Sequence, residues 1–418
     1  MKSLTFGAAV LFSTCCTQFV QAAPAKTEYI YIESNVQAAG GNSILAFSRT
    51  GNGTITPLNG SPFATGGTGV QDTSFVFGPY DSDQNIVIDQ DRQLLFAVNS
   101  GSDTIAVFHI NGNGALTPVN GSPFPSGGVN PVSLGQSGDK LFIVNKNGDF
   151  GRLLPVLPNY TALQIENDGS LSPITDLSPV QIAWGSSPSQ AYVVPGTNLM
   201  FGTDFRAGLI ESFNFDRTGQ LTQHQPLPLP QNPAIPAAAA QQLNLANFPL
   251  NLWTHPFEPL VYVSFVSVNQ VGVYKYDEDG DLSFIRAVPD SGQAICWLRA
   301  NKAGTRLYAS NNGVIEGPND AHSTISVFDL TDPETPKEIQ NIQLLGVGNS
   351  SQISLNPSET TLYVIAQRAT PLIPVGQGNA LHVFAIQSDG TISENISPIT
   401  LNVPNGTQPQ GIAIYSPK

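Results

Sequence analysis

One pattern of short strands recurs seven times along this sequence and constrains the fold more than any other feature. A strand-like segment ends in an aromatic residue, a turn glycine usually follows six residues later, and an aliphatic residue comes two positions after the glycine, as in Thr104–Phe108, Gly114 and Leu116. The aromatic position is filled in turn by Phe47, Phe108, Leu163, Phe213, Tyr274, Phe328 and Phe384. Turns such as Gly51-Asn-Gly53 favour the positive φ that a tight hairpin requires.

Each unit has room for four strands. A second apolar strand, such as Leu94–Val98, precedes the aromatic strand, and an inner strand, such as Asn85–Asp89, precedes that one. Successive turns lie 50 to 61 residues apart. Four short strands in this spacing are typical of a propeller blade. We therefore predict an all-β fold, a seven-bladed β-propeller with four antiparallel strands per blade. The alternatives, a β-solenoid or two sandwiches, do not explain the number of units.

The chain ends predict how the ring closes. The first unit lacks an inner strand, whereas the C-terminus carries a spare one at Gly411–Tyr415. Pairing of this strand with Tyr29–Ile32 would complete the seventh blade and remove two open sheet edges. Both faces of strands such as Thr104–Phe108 are apolar, as expected for a blade packed between two neighbours.

Residues 1–22 are predicted to be a secretory signal peptide. Lys2 precedes an apolar stretch, and small residues allow cleavage after Ala22 or Ala23. Loss of this segment would leave Cys296 as the only cysteine, which excludes an intrachain disulfide. No stretch reaches the roughly 20 apolar residues of a membrane span. We expect residues 23–418 to form one secreted domain, either extracellular or, in a bacterium, periplasmic.

The charge balance narrows the possible partners. The chain has 31 acidic against 17 basic residues and a net charge of −14, which argues against binding to nucleic acid. We expect a monomer with a small-molecule ligand. Seven Asn-x-Ser/Thr sequons are candidate glycosylation sites: Asn52, Asn59, Asn120, Asn159, Asn349, Asn395 and Asn405.

One connection breaks the repeat. Residues 226–250 are rich in proline, alanine and glutamine and lead from an outer strand to the next inner strand. This insertion is either a lid over one face of the propeller or a proline-rich surface segment.

The sequence carries no general catalytic signature, nucleotide motif or predicted cofactor, and we predict no metal. Asp277–Asp281 is acidic enough for a cation, but its glycine comes too early for an EF-hand loop. The segment also lies where other blades have a hairpin turn. The alternative to a cation site is therefore an ordinary hairpin turn.

Inner strands line the central channel of a propeller, so their polar residues are candidate ligand contacts. Arg299 either binds a carboxylate or oxyanion there or ties neighbouring blades together. Trp297 either stacks on a ring-shaped ligand or fills the channel. Four glutamines at or just before inner strands either donate hydrogen bonds into the channel or pair with backbone: Gln190, Gln293, Gln352 and Gln410.

The segment Arg299–Asn311, followed by His322–Phe328, resembles the propeller lactonases related to 6-phosphogluconolactonase and the fungal 3-carboxymuconate cyclases. The resemblance covers the mature chain as an architecture and is specific here and around residues 186–219. It implies a lactone opened or closed near the central channel without a metal. It also implies catalytic roles for Arg299, Asp204 and His322.

Two departures from that family keep a second interpretation open. Trp297 stands where the family usually has an acid, and Ser186–Ser189 replaces a Pro-His-Ala-His motif. A lactonase needs a proton acceptor or an activated water near the carbonyl carbon. The two hypotheses are a secreted lactonase- or cyclase-like propeller that acts on or binds a small lactone or carboxylate, and a non-catalytic extracellular or wall-associated glycoprotein that binds a small molecule or a protein.

Overall fold

The computed structural model describes residues 27–70, 82–149, 152, 154–230, 248–313, 323–368 and 372–417. The predicted signal peptide, His322 and residues 231–247 of the 226–250 insertion lie outside this part of the chain. Within these ranges, no helical segment has the length and hydropathy of a membrane-spanning helix.

The described residues form seven antiparallel sheets, which we number as blades 1–7 with their strands given from the innermost outwards. Blade 1 contains Gln410–Tyr415, Glu28–Glu33, Ser43–Arg49 and Ile55–Pro57, with Phe63–Ala64 at its edge. Blade 2 contains Ile86–Asp89, Leu94–Asn99, Thr104–Ile110 and Leu116–Pro118, with Phe124–Pro125. Blade 3 contains Pro131–Ser137, Lys140–Asn145, Asn159–Ile165 and Leu171–Pro173, with Val180–Gln181.

The remaining four blades repeat this order. Blade 4 contains Tyr192–Val193, Leu199–Asp204, Leu209–Phe215 and Leu221–Gln223, with Leu227–Pro228. Blade 5 contains Pro249–Thr254, Leu260–Phe265, Gln270–Tyr276 and Leu282–Pro289, with a 3-10 turn at Val266–Val268. Blade 6 contains Ile295–Ala300, Arg306–Asn311, Thr324–Asp329 and Lys337–Gln343. Blade 7 contains Asn349–Leu355, Thr361–Gln367, Ala380–Ile386 and Ile392–Glu394, with Ile399–Thr400.

The ring closes as predicted. Gln410–Tyr415 pairs antiparallel with Glu28–Glu33, and Tyr29 lies opposite Tyr415. The innermost strands of neighbouring blades contact one another around the ring, and at blades 4 and 5 the contact is between the blade 4 second strand and the blade 5 first strand. These findings confirm the seven-bladed β-propeller and its closure by the C-terminal strand.

The hydrophobic core is divided into clusters that lie between neighbouring blades. One cluster joins Phe96 and Val107 of blade 2 to Leu141 and Ile143 of blade 3, and comparable clusters fill the other interfaces of the ring. Each fully buried aliphatic or aromatic side chain contributes about 1.5–3 kcal/mol to folding. This packing explains why both faces of the central strands are apolar.

The turn glycines have the predicted conformation. Gly114 has φ of +79°, and a Cβ atom at this position would lie 2.2 Å from the Tyr29 ring of blade 1. Its carbonyl oxygen accepts a hydrogen bond from Tyr31 Oη (2.7 Å). The acidic segment Asp277–Asp281 is likewise a hairpin turn, in which Asp277 Oδ1 accepts bonds from the backbone N–H groups of Asp279 and Asp281.

Candidate functional site

A short polar segment, Ser82–Asn85, lies at the centre of the ring. It leads into the innermost strand of blade 2, and its atoms bond to residues from the other six blades. Without this segment, the polar side chains that line the channel would be buried without hydrogen-bond partners, which is energetically costly. The segment supplies those partners from within the chain.

Asp83 forms the centre of this network. Arg299 Nη2 donates to Asp83 Oδ1 (2.9 Å), and Arg299 Nη1 lies 2.8 Å from Asp83 Oδ2. Asn251 Nδ2 also donates to Oδ2 (2.7 Å), and Gln190 Nε2 lies 3.4 Å from the same oxygen. The Asp83 side chain is only 1% exposed. The result is a buried ion pair in which both carboxylate oxygens lie close to the guanidinium, with one charge-assisted hydrogen bond.

Ser82 and Asn85 make the other contacts between this segment and the channel wall. Trp297 Nε1 donates to the Ser82 carbonyl oxygen (2.9 Å), and Gln352 Nε2 donates to the same oxygen (3.0 Å). Gln410 Nε2 donates to Ser82 Oγ (3.0 Å), while Asn85 Nδ2 donates to the Val132 carbonyl oxygen (2.9 Å). The channel glutamines and Trp297 are thus partnered by the chain itself.

Arg299 also stacks on an aromatic residue. Its guanidinium carbon lies 4.3 Å from the centroid of the Trp253 ring, a cation–π contact. Tyr192 packs against Trp253 with 4.7 Å between ring centroids, and its hydroxyl is 2.8 Å from Thr254 Oγ1. Burial raises the pKa of Tyr192 to about 12, so this hydroxyl stays protonated.

Arg299 and Trp253 lie at the base of an open funnel of about 710 Å³. The funnel occupies the end of the channel where first strands turn into second strands. Its walls include Tyr192, Tyr276, His255, Lys302, Asn356 and Glu359. Phe248, near the C-terminal end of the 226–250 insertion, directly precedes the blade 5 first strand, and Thr254 of the funnel lies at the other end of that strand.

The other predicted site residues lie apart from this funnel. Asp204 is fully buried at the end of its strand, where Oδ1 accepts bonds from the backbone N–H groups of Ser187 (2.8 Å) and Ala207 (3.0 Å). Gln293 is exposed in the turn before the blade 6 first strand. The structure therefore brings Arg299, Trp297, Gln190, Gln352 and Gln410 together but places Asp204 and Gln293 elsewhere.

Sequence reasoning missed Asp83, Asn251 and Trp253. Asp83 supplies a carboxylate beside Arg299, although Trp297 replaces the expected acid on the arginine's own strand. The available signal was the run Ser82-Asp83-Gln84-Asn85 directly before an inner strand. The same four residues are equally typical of an ordinary polar turn between strands.

These features define the class of protein: a seven-bladed β-propeller with an internally filled channel and a ligand-sized funnel at one end. A scan against protein-family models finds no match, and a search of curated proteins finds no significant match. Solved structures with the same fold do exist. The periplasmic gluconolactonase PpgL of Pseudomonas aeruginosa is 15% identical, with a TM-score of 0.66 over 94% of this chain and 100% of that one.

Two further structures carry provisional 6-phosphogluconolactonase names. The Bacteroides uniformis protein is 16% identical, with a TM-score of 0.68 over 93% of this chain and 99% of that one. The Bacteroides fragilis protein is 15% identical, with a TM-score of 0.67 over 93% and 98%. At these identities the likeness shows the fold, so this chain has the architecture of a lactonase-like propeller. The resemblance predicted from residues 299–328 is confirmed at that level.

Proposed function

We propose that this protein is a secreted, lactonase-like propeller that binds a small lactone or carboxylate in the funnel. The observation that carries the proposal is Arg299 stacked on Trp253 at the base of a cavity large enough for a sugar-sized ligand. The Leu298 carbonyl oxygen and Asp83 Oδ1 accept two of its five N–H donors, and Asp83 Oδ2 lies 2.8 Å from Nη1. The remaining donors suit a carbonyl or carboxylate oxygen. We infer that residues 1–22 direct export.

Acid release from a panel of aldonolactones and muconolactones tests the activity. We expect turnover of at least one lactone, and Arg299→Ala should lower kcat/KM about 100-fold, the usual cost of losing an oxyanion donor. Arg286→Ala is the matched control because Arg286 is exposed on an outer strand away from the funnel. Equal activity in Arg299→Ala and the parent protein would refute the assigned role of Arg299.

A second candidate function is ligand binding without turnover. It is favoured by the hydrogen bonds that already occupy the titratable side chains Asp83 and His255 near the bottom of the funnel. Asp83 accepts bonds from Arg299, Asn251 and Gln190. His255 Nδ1 accepts from the backbone N–H groups of Phe257 and Glu258, and Nε2 lies 3.0 Å from the Gly304 carbonyl oxygen. Neither group is arranged to accept a proton from water. Calorimetric binding of a lactone without acid release would establish this alternative.

A further inference from the structure

We propose that Asp83 makes the funnel selective for neutral, ring-closed lactones over free carboxylates. This inference rests on the proposed function and specifies its ligand class. The positive charge at the base of the funnel is not free, because both carboxylate oxygens of Asp83 face the Arg299 guanidinium. A ligand therefore meets a neutral ion pair rather than an isolated cation.

Asp83 is fixed in this position. Asn251 and Gln190 hold its Oδ2 from two further blades, and its own backbone N–H donates to the Ser189 carbonyl oxygen (3.1 Å). A carboxylate ligand cannot displace it from Arg299 without leaving a buried charge and the Asn251 amide unpaired, which is strongly unfavourable.

The alternative for a carboxylate is to bind beside the pair. An anion that accepts from the remaining Arg299 donors also lies within a few ångströms of the Asp83 carboxylate. Repulsion from Asp83 then cancels much of the attraction to Arg299, while the cost of removing the anion from water remains. A lactone carbonyl oxygen accepts the same bond without a net charge. The other charged residues of the funnel do not offset this difference between carboxylate and lactone. Lys302 and Glu359 both line the funnel, and the backbone N–H of Lys302 donates to Glu359 Oε1 (2.7 Å).

This selectivity has a consequence for turnover. Water addition to a lactone breaks the ring C–O bond and leaves a hydroxyl group and a carboxylic acid, which ionises to a carboxylate and a proton. The product thus carries the charge that the funnel disfavours, whereas the substrate does not. Product release is then aided by Asp83.

Calorimetric titration with an aldono-1,4-lactone and the sodium salt of the same aldonic acid tests the ligand preference. The parent protein should bind the lactone about tenfold or more tightly than the salt, as expected for one nearby like charge. Asp83→Asn should remove or reverse that preference by releasing the Arg299 charge. Equal affinity for both probes in the parent, or an unchanged ratio in Asp83→Asn, would overturn the proposal.

Tryptophan quenching tests the electrostatics without any lactone. In a Trp184→Phe background, which removes a tryptophan that is 64% exposed, the partly exposed Trp253 reports on the funnel. Asp83→Asn should raise quenching by iodide several-fold and leave quenching by neutral acrylamide unchanged. Equal iodide quenching in both proteins would contradict the role of Asp83.

The two measurements separate the possible failures. If neither the lactone nor the aldonate binds but iodide quenching responds to Asp83→Asn, then Asp83 does neutralise the funnel and the proposed lactone function fails. If Asp83→Asn does not fold, Arg299→Gln and the double variant Asp83→Asn/Arg299→Gln take its place. Arg299→Gln alone should lower iodide quenching below the parent value, and the double variant should restore the parent value. Any other ranking of iodide quenching among these three proteins refutes the proposal.

Discussion

Glu33 provides a quantitative prediction about pH and stability. Its side chain is fully buried at the end of the blade 1 second strand. Asn42 Nδ2 donates to Oε1 (2.7 Å), whereas Oε2 has no partner among the described residues. Burial raises the pKa of Glu33 from 4.5 to about 8, because the charged form loses its hydration without gaining a cation.

The raised pKa fixes the sign of the pH dependence. Between about pH 4.5 and pH 8 the folded chain keeps a proton that the unfolded chain has released, so stability falls as the pH rises through this window. At 1.36 kcal/mol per pKa unit, Glu33 should cost about 3–4 kcal/mol more at pH 8 than at pH 5. Glu211 and Asp290, whose pKa values burial raises to about 7, add to the fall in the same direction.

Urea unfolding from pH 5 to pH 9 measures this effect. Glu33→Gln removes the ionisation but keeps the side-chain volume, so its advantage over the parent protein should grow by about 3–4 kcal/mol between pH 5 and pH 8. Glu278→Gln, at an exposed turn position, is the matched control and should follow the parent. A free energy of unfolding that falls equally steeply with pH in Glu33→Gln and in the parent would refute the reasoning.

Ring closure, the turn glycines and the burial of individual sequons each have a measurable consequence. Removal of residues 410–418 should abolish cooperative unfolding in circular dichroism, because it uncovers the edge of Glu28–Glu33, while removal of 416–418 should not. Gly114→Ala should lower the free energy of unfolding by about 1–3 kcal/mol or more, since φ is positive and the Tyr29 ring blocks a Cβ atom. In a glycosylating host, mass spectrometry should find no glycan on the buried Asn159 and Asn349; the exposed sequons, such as Asn52, are the positions open to modification.

The number of blades and the closure of the ring were predictable because they depend on local patterns. A strand such as Thr104–Ile110 is apolar on both faces, and a hairpin turn follows it within a few residues. The spare strand at the C-terminus had one incomplete blade to join.

The site was only partly predictable because its contacts join distant parts of the chain. Arg299 and Asp83 are 216 positions apart, and no repeat pattern specifies that the polar segment before the blade 2 inner strand turns into the channel. The position of Gln293 was equally inaccessible. Ala294 has a positive φ of 55°, and the strand pairing is irregular between Ile295 and Trp297. The strand residues that face the channel therefore come after Gln293.

The filled channel changes where a ligand can act in this fold. Seven innermost strands leave a central space that their side chains do not close, and here Ser82–Asn85 satisfies Trp297, Gln352 and Gln410 in that space. A ligand that entered the middle of the channel would have to replace these bonds before it gained any of its own. At the funnel end, by contrast, Arg299 keeps unused donors next to open volume. Recognition is therefore expected at the first-to-second strand turns, and changes in ligand preference should come from residues in those turns rather than from the channel glutamines.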